Sequence, residues 1–512
     1  MSWGSGYVTD IAYAPGYYVE QSPRLMALVA LLTGRAARMA APDESFHFLD
    51  IGSGRGFTAL VLAATNPGWT VTGIDFNPGH VAAARDLAAR AGIGNCRFIE
   101  ADLARFDGAD LAPVDAASLH GVWTWVDDQV RAGIVRLLAE RLVPGGFCHV
   151  SYNVQPGWGG MIGLQRLMRE AGRRLAFRAD RQAERGFEIV RRLVGQDGER
   201  ADEKAQAILR ALADKPGAYL AHEFMNANWR PCFHADVVEA FAEAKFSYVG
   251  SPHLLDNFVE LVLPPVALDL AREFEDPAMT ELVKDLTLGR PLRHDIYVRG
   301  ERRLATGARD QALKDLALGL SVPSTHRSLK FQTASGEATM NASFYEPVFA
   351  RLAQGVARVG ELLDVARPPG RSPAADNPAE LVAMLVGTGQ AVMVASPGLP
   401  MTRQAVALNA AMFAEQIGAG PWNRNIGLAV PALGGAFNLP AVGAFAVLRQ
   451  HDWLSDATVG QALPTPDRAT IEGWLEAALP NQEQDLRQAM ADGVEGFLRN
   501  SRATLAALGL PC

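Results

Sequence analysis

Asp50-Ile51-Gly52-Ser53-Gly54-Arg55-Gly56 follows the mostly apolar run Phe46-His47-Phe48-Leu49 and precedes Phe57-Thr58-Ala59-Leu60. An apolar run closed by an acid, three glycines two residues apart, and a second apolar run read as strand, tight turn and helix. The glycines let the backbone turn sharply and let a ligand lie against it. Nucleotide-like ligands bind beyond the carboxyl ends of the strands in such open sheets. The spacing is not the G-x-G-x-x-G of a dinucleotide loop. A carboxylate at the strand end can accept hydrogen bonds from loop amides or from a ligand's ammonium, a group that NAD lacks.

Working outward, strand and helix signals alternate. Strands are expected at residues 46–51, 70–75, 96–100, 116–120 and 147–152, with helices at 57–64, 80–91 and 129–142 between them. That alternation implies a parallel sheet with right-handed crossovers. Before it lies an aromatic segment with Tyr7, Tyr13, Tyr17 and Tyr18, then a helix starting at Ser22-Pro23. Residues 161–215 are charged, rich in Arg, Glu and Ala, and helical. Strands follow at 245–250 and, as one more candidate, at 294–298. The helical stretch reads as an insertion between the fifth and sixth strands; a domain boundary near residue 160 is the alternative. Residues 366–378, with Pro368-Pro369-Gly370 and Pro373, read as a linker. Beyond about residue 300 no catalytic motif is visible.

The chain has 512 residues, so two or three domains are expected. With 49% hydrophobic and 20% charged residues it has the balance of a folded, soluble protein. A net charge of −8 argues against nucleic acid as the main partner. Only six lysines occur and none precedes Lys204, which removes lysine from chemistry near the glycine loop. The cysteines 96, 148, 232 and 512 form no C-x-x-C pair, so neither a zinc site nor a disulfide framework is expected. A reducing, cytoplasmic location follows, and there is no signal peptide at Met1-Ser2-Trp3-Gly4. The uncharged run 426–448 holds Pro431, Pro440 and Gly434-Gly435, so it reads as buried strands and loops rather than a membrane span.

Three acids end consecutive strands. Asp50 ends the first. Asp75, followed by Phe76-Asn77-Pro78, ends the second, where it can accept two ribose hydroxyls while Phe76 packs on an adenine. Glu100-Ala101-Asp102-Leu103 ends the third, where Asp102 can accept from an adenine amino group. Each acid alone could be a helix cap. Together they point to S-adenosylmethionine, held by Tyr13, Tyr18, Asp50, Gly52, Ser53, Gly54, Gly56, Asp75, Phe76, Asn77, Asp102, Leu103 and His120. The segment 7–18 has no sheet to join and is expected to close over that cofactor.

These residues resemble a family of bacterial class I methyltransferases with an appended methyltransferase regulatory region, among them the rickettsial protein lysine methyltransferases that modify outer-membrane proteins. The resemblance runs through Tyr7-Val8-Thr9-Asp10-Ile11-Ala12-Tyr13, Ser22-Pro23, residues 50–58 and 73–80, and His120-Gly121-Val122-Trp123-Thr124-Trp125-Val126. It continues through residues 150–158, 219–226 and 246–251. It spans roughly the first 300 residues. Ser53 stands where many relatives have cysteine, and Trp123 where tyrosine is usual. The implied fold is a doubly wound seven-stranded α/β sheet with a helical insertion at about 160–230 and a regulatory-type region at about 215–300. A mixed α/β or α-rich C-terminal region, 301–512, follows, with substrate binding as one role for it.

The resemblance implies methyl transfer to an amine, with a lysine side chain of a protein as the favoured acceptor. In-line displacement needs alignment and a free lone pair. A lysine ammonium has a pKa of about 10.4, which an apolar aromatic channel lowers. Trp123, Trp125, Tyr152 and Trp158 follow the fourth and fifth strands and are expected to line that channel, with His120, Tyr152 and Asn153 as polar orienters. Ser151-Tyr152-Asn153-Val154 is not the N-P-P-Y type that presents a base. His222-Glu223 lacks H-E-x-x-H, because position 226 is Asn226; it reads as an interdomain or dimer contact, and no metal is expected. A homodimer is left open. Two alternatives stand: a small-molecule or peptide natural-product methyltransferase, and a cofactor-binding subunit that serves a partner.

Overall fold

A computed structural model describes residues 6–11, 16–195, 199–323, 326–418, 424–450, 467–478 and 484–510. Its centre is a seven-stranded sheet of β1 (Phe46–Ile51), β2 (Trp69–Asp75), β3 (Cys96–Glu100), β4 (Val114–Leu119), β5 (Leu142–Asn153), β6 (Phe246–Gly250) and β7 (Leu292–Arg299). The order is β3-β2-β1-β4-β5-β7-β6. The first five strands are parallel, and β7 lies antiparallel between β5 and β6. This is the class I methyltransferase sheet. The reading from sequence alternation anticipates the seven strands; the reversed β7 comes from the long connection through residues 251–291, which returns the chain to the edge of β5.

Helix α1 (Pro23–Leu32) precedes β1 and packs against β5 and β7, and α2 (Phe57–Thr65), α3 (Pro78–Arg90) and α4 (Asp128–Arg141) cross between the early strands. Every residue of α2 is buried. One of its faces meets the sheet; the other is covered by the hairpin β8 (Asn425–Val430) and β9 (Gly435–Pro440) and the helix Arg403–Gly418. A helix that is apolar all round must be covered on both sides, and the C-terminal region supplies the second cover. Asn66, just after α2, donates Nδ2–H to the Gly434 carbonyl at 3.0 Å. Arg55 of the glycine loop pairs with Glu415 at 2.5 Å, and Arg90 with the same carboxylate at 2.6 Å.

Between β5 and β6 run α5 (Ile162–Leu175), α6 (Ala179–Val194), α7 (Glu203–Leu212) and α8 (Gly217–Phe224). They share a core containing Met168, Phe187, Leu209, Leu220 and Phe224. The insertion also holds the N-terminal segment: Val8 N–H donates to Asn226 Oδ1 at 2.8 Å, and Ala179 N–H to Asp10 Oδ2 at 2.9 Å.

Residues 366–378 form a closed turn in which Arg367 pairs with Asp376 at 2.7 Å. The helices on either side, Val359–Ala366 and Pro378–Gly387, pack on each other within a core that runs continuously from the sheet. In the apolar run 426–448, strands occupy only the first part. Residues 441–450 are a helix, Ala441–Gln450, whose small and aliphatic side chains bury against Ile471 and Val494. Among the described residues, no helix is long and apolar enough to cross a membrane.

Candidate functional site

A cavity of about 420 Å³ opens beyond the carboxyl ends of β1, β2, β3 and β4. Its floor is the glycine loop. Gly52 has φ 74°, and a Cβ there would sit 2.3 Å from Val122 Cγ2. Gly56 has φ 77° and begins α2; a Cβ there would meet the Phe98 ring at 2.5 Å. Glycine is therefore required at both positions, at Gly52 for the cavity wall and at Gly56 for the turn. Gly52, Ser53 and Gly54 line the cavity, whereas Gly56 does not.

The strand-end acids differ in their surroundings. Asp50 is buried and accepts from Gln21 Nε2 at 3.3 Å. Burial and the neighbouring Asp75 push its pKa from 3.8 up to about 7, the Gln21 bond opposing them. Asp75 accepts from Gly54 N–H and from Asn77 N–H, both at 2.8 Å. Asn77 does not line the cavity; its Oδ1 caps α3 by accepting from Gly79 N–H at 2.9 Å, so it holds Asp75 from behind. Asp102 and Leu103 line the far wall with Phe76. Ser53 Oγ is buried, with no hydrogen-bond partner among the described residues.

The roof comes from elsewhere in the chain. Tyr7, Gly16 and Tyr18 line it from the N-terminal segment. Tyr7 stands edge-on to Phe76, with ring centroids 5.7 Å apart, and Tyr18 lies over His120 at 4.0 Å. Tyr13 lies outside the described residues. Tyr219, His222, Glu223 and Asn228 line the roof from α8 and the turn after it. His222-Glu223 lines the cavity from α8, facing the glycine loop across the boundary between the inserted helices and the sheet. Burial raises Glu223 from 4.5 to about 7, offset in part by a hydrogen bond from Asn153 Nδ2 at 2.8 Å. Burial pushes Tyr219 up to about 12. Among the described residues none after Asn228 lines the cavity, so the described C-terminal region braces the loop without entering it.

The expected aromatic channel is only partly present. Trp125 lines the cavity, and its Nε1–H donates to the Glu223 carbonyl at 3.3 Å. His120 lines it too, with its pKa lowered to about 4 by burial and Nδ1 3.2 Å from Ser151 Oγ. Tyr152 instead points into the core, wholly buried, and donates to Asp295 Oδ2 at 2.6 Å. Trp123 packs against Phe241 and under Arg131. Trp158 donates to the Pro291 carbonyl and packs against Phe224 and Trp229. Asn153 is buried beneath the cavity and reaches it through Glu223. The reading from sequence misses Tyr7 as a named site residue, as well as Gln21, Tyr219, His222 and Glu223. The aromatic N-terminal segment and the acid in Tyr219-Leu220-Ala221-His222-Glu223 are the signals that mark two of these regions.

Residues 48–146 match the family model described as methyltransferase domain, and residues 216–299 match that described as predicted methyltransferase regulatory domain. An uncharacterized protein of Synechocystis sp. is 30% identical over 364 residues, covering 71% of this chain and 72% of that one. A tRNA (guanine-N(7)-)-methyltransferase of Thiobacillus denitrificans is 30% identical over 162 residues, covering 30% of this chain and 67% of that one. The structure of PKMT2 from Rickettsia typhi in complex with AdoHcy matches with a TM-score of 0.68 at 16% identity, over 97% of this chain and 99% of that one.

Proposed function

Since the chain belongs to the class I methyltransferases that carry a methyltransferase regulatory domain, we propose that it methylates an amine, and that the amine is a lysine side chain of a protein. The cofactor is S-adenosylmethionine, and the cavity suits it. Asp50 is a buried carboxylate with a raised pKa, suited to a ligand cation; Asp75 has carboxylate lone pairs to spare; Ser53 Oγ has no partner among the described residues. In this reading Asp50 holds the ammonium, Asp75 the ribose hydroxyls, and Asp102 and Leu103 the adenine, with Phe76 against its ring. When bound, the cofactor supplies an electrophilic methyl group on a sulfonium.

The observation that carries the amine reading is Glu223: a buried carboxylate with a pKa of about 7, in the same cavity as the glycine loop and flanked by Trp125, Tyr7 and Tyr219. Such a group is matched to taking a proton near neutral pH. The acceptor ammonium gives its proton to Glu223, which frees the nitrogen lone pair for the new N–C bond. The aromatic walls disfavour a full charge on the incoming amine and favour the cationic product by cation–π contact. The acidic chain and the absence of a base-presenting motif after β4 disfavour a nucleobase acceptor. The lysine preference rests on similarity to the rickettsial PKMT2 fold and on this carboxylate. Incubating candidate proteins with isotopically labelled cofactor and measuring intact masses tests it. Increments of one methyl that map to lysine support it, and label appearing only on a small molecule rejects it.

A further inference from the structure

Four of the ten histidines, His120, His149, His253 and His294, gather between the cofactor cavity and a second cavity of about 560 Å³ on the far side of β7. His120 lines the first cavity; His253 and His294 line the second; His149 on β5 is fully buried between them. Nε2 of His149 faces Nδ1 of His294 at 3.0 Å. One ring nitrogen from each of His120, His149 and His294 lies within 4.8 Å of the others. The ring centroids are 5.2 Å apart for His149 and His294, 5.6 Å for His120 and His294, and 6.1 Å for His120 and His149.

We propose that His120, His149 and His294 form a binding site for a divalent transition-metal ion of the zinc type, with its open position toward the cofactor cavity. Three imidazoles around one tetrahedral ion, each at about 2.0–2.1 Å, place their ring centres about 5 Å apart. The observed spacings need only a small turn of His120 to reach this. The outward nitrogens have oxygen partners of the kind that orient metal-bound histidines: Ser118 Oγ is 2.9 Å from His149 Nδ1, and Ser151 Oγ is 3.2 Å from His120 Nδ1. With His149 carrying its proton toward Ser118 and His294 carrying its own on Nε2, both inward nitrogens hold lone pairs and no proton need leave. Three histidines and an open fourth position are a ligand set that zinc accepts. The site runs against the expectation of no metal, which rested on sequence spacing; these ligands come from three different strands or strand ends.

The test uses the untagged full chain, stripped with a chelator, then titrated with Zn²⁺ by calorimetry and with Co²⁺ by visible absorption. One Zn²⁺ per chain and the intense bands of tetrahedral Co²⁺ are expected. His149→Gln and His294→Gln should weaken uptake by more than about 100-fold, and Ser118→Ala by about 10–100-fold. His253→Gln, whose ring meets His294 edge-on at 5.2 Å, should keep the stoichiometry. Circular dichroism separates lost ligation from lost fold, and Ser118→Ala serves if the histidine variants do not fold. No uptake by the native chain, or uptake unchanged in both ligand variants, overturns the site. Metal uptake is read without any acceptor, so its failure leaves the amine reading untouched.

Discussion

Asn153, at the end of β5, donates Nδ2–H to Glu223 Oε1, in α8, at 2.8 Å. The bond ties the catalytic sheet to the inserted helices. Its donor favours the ionised carboxylate, whereas burial favours the neutral one, and burial wins: Glu223 sits near 7 instead of 4.5. A base must be ionised to take a proton. Turnover should therefore rise about tenfold per pH unit below 7 and level off above it. Glu223→Gln should lower turnover by about 10²–10⁴-fold and remove that limb. Asn153→Ala should shift the limb to higher pH, since it takes away the one bond that lowers the pKa. A pH–rate profile unchanged in both variants would remove Glu223 from the reaction.

Asp75 accepts two backbone N–H bonds, from Gly54 and Asn77. Asp75→Ala should weaken S-adenosylmethionine binding by about 1.5–3 kcal/mol, the loss of a charged hydrogen-bond partner. That is about 10–150-fold in affinity. Nicotinamide cofactors should show no binding to either form. Calorimetry decides; an unchanged affinity for S-adenosylmethionine overturns the assignment.

Asp50 gives a second pH dependence. Its folded pKa of about 7 lies above its ordinary 3.8. The folded state therefore binds this proton more tightly than the unfolded chain does. The stabilisation is complete below about pH 4 and is lost as pH rises through 7. A ligand ammonium needs the ionised form. Cofactor affinity should thus increase with pH up to about 7, with uptake of cofactor releasing a proton below that pH. Calorimetry in buffers of different ionisation enthalpy counts that proton. Asp50→Asn should abolish the release.

The parts of the fold that depend on local periodicity were legible in the sequence: the strands, the glycine turn and the three strand-end acids. The part of the site that depends on strand alternation was there too, but reading Tyr152 and Asn153 as one motif passed over it. Successive residues of a strand face opposite sides. His149, Ser151 and Asn153 therefore point toward the cavity side, and Cys148, Val150 and Tyr152 enter the opposite core. Trp123 and Trp125 part in the same way across a single 3₁₀ turn. The contribution of α8 was not legible, because which face of a helix meets a site some 170 residues back is set by tertiary packing.

Tyr7 and Tyr18 roof the cavity, and Val8 is latched to Asn226. Deleting residues 1–18 should leave a folded protein whose cofactor affinity is much reduced, because ring contacts with Phe76 and His120 are lost. Asn226→Ala should give a weaker form of the same defect. If truncation leaves the affinity intact, the segment has another role.

Tyr152→Phe separates a role in the reaction from a role in the core. The hydroxyl donates to Asp295, which also accepts from Arg293 Nε at 3.0 Å and meets His234 Nδ1 at 3.0 Å. Burial alone would raise Asp295, but Arg293 and His234 outweigh it and hold the carboxylate well below its usual range. Removing the hydroxyl leaves a buried carboxylate with one donor fewer, so the variant should lose about 1.5–3 kcal/mol of stability. The side chain is 0% exposed and does not touch the cavity, so turnover per folded molecule should stay at the native level. Trp125→Ala should do the reverse, since Trp125 lines the cavity and holds the Glu223 carbonyl: turnover falls and stability changes less. Denaturant melts paired with single-turnover rates read both quantities. A Tyr152→Phe enzyme that melts normally but turns over slowly would return Tyr152 to the acceptor channel.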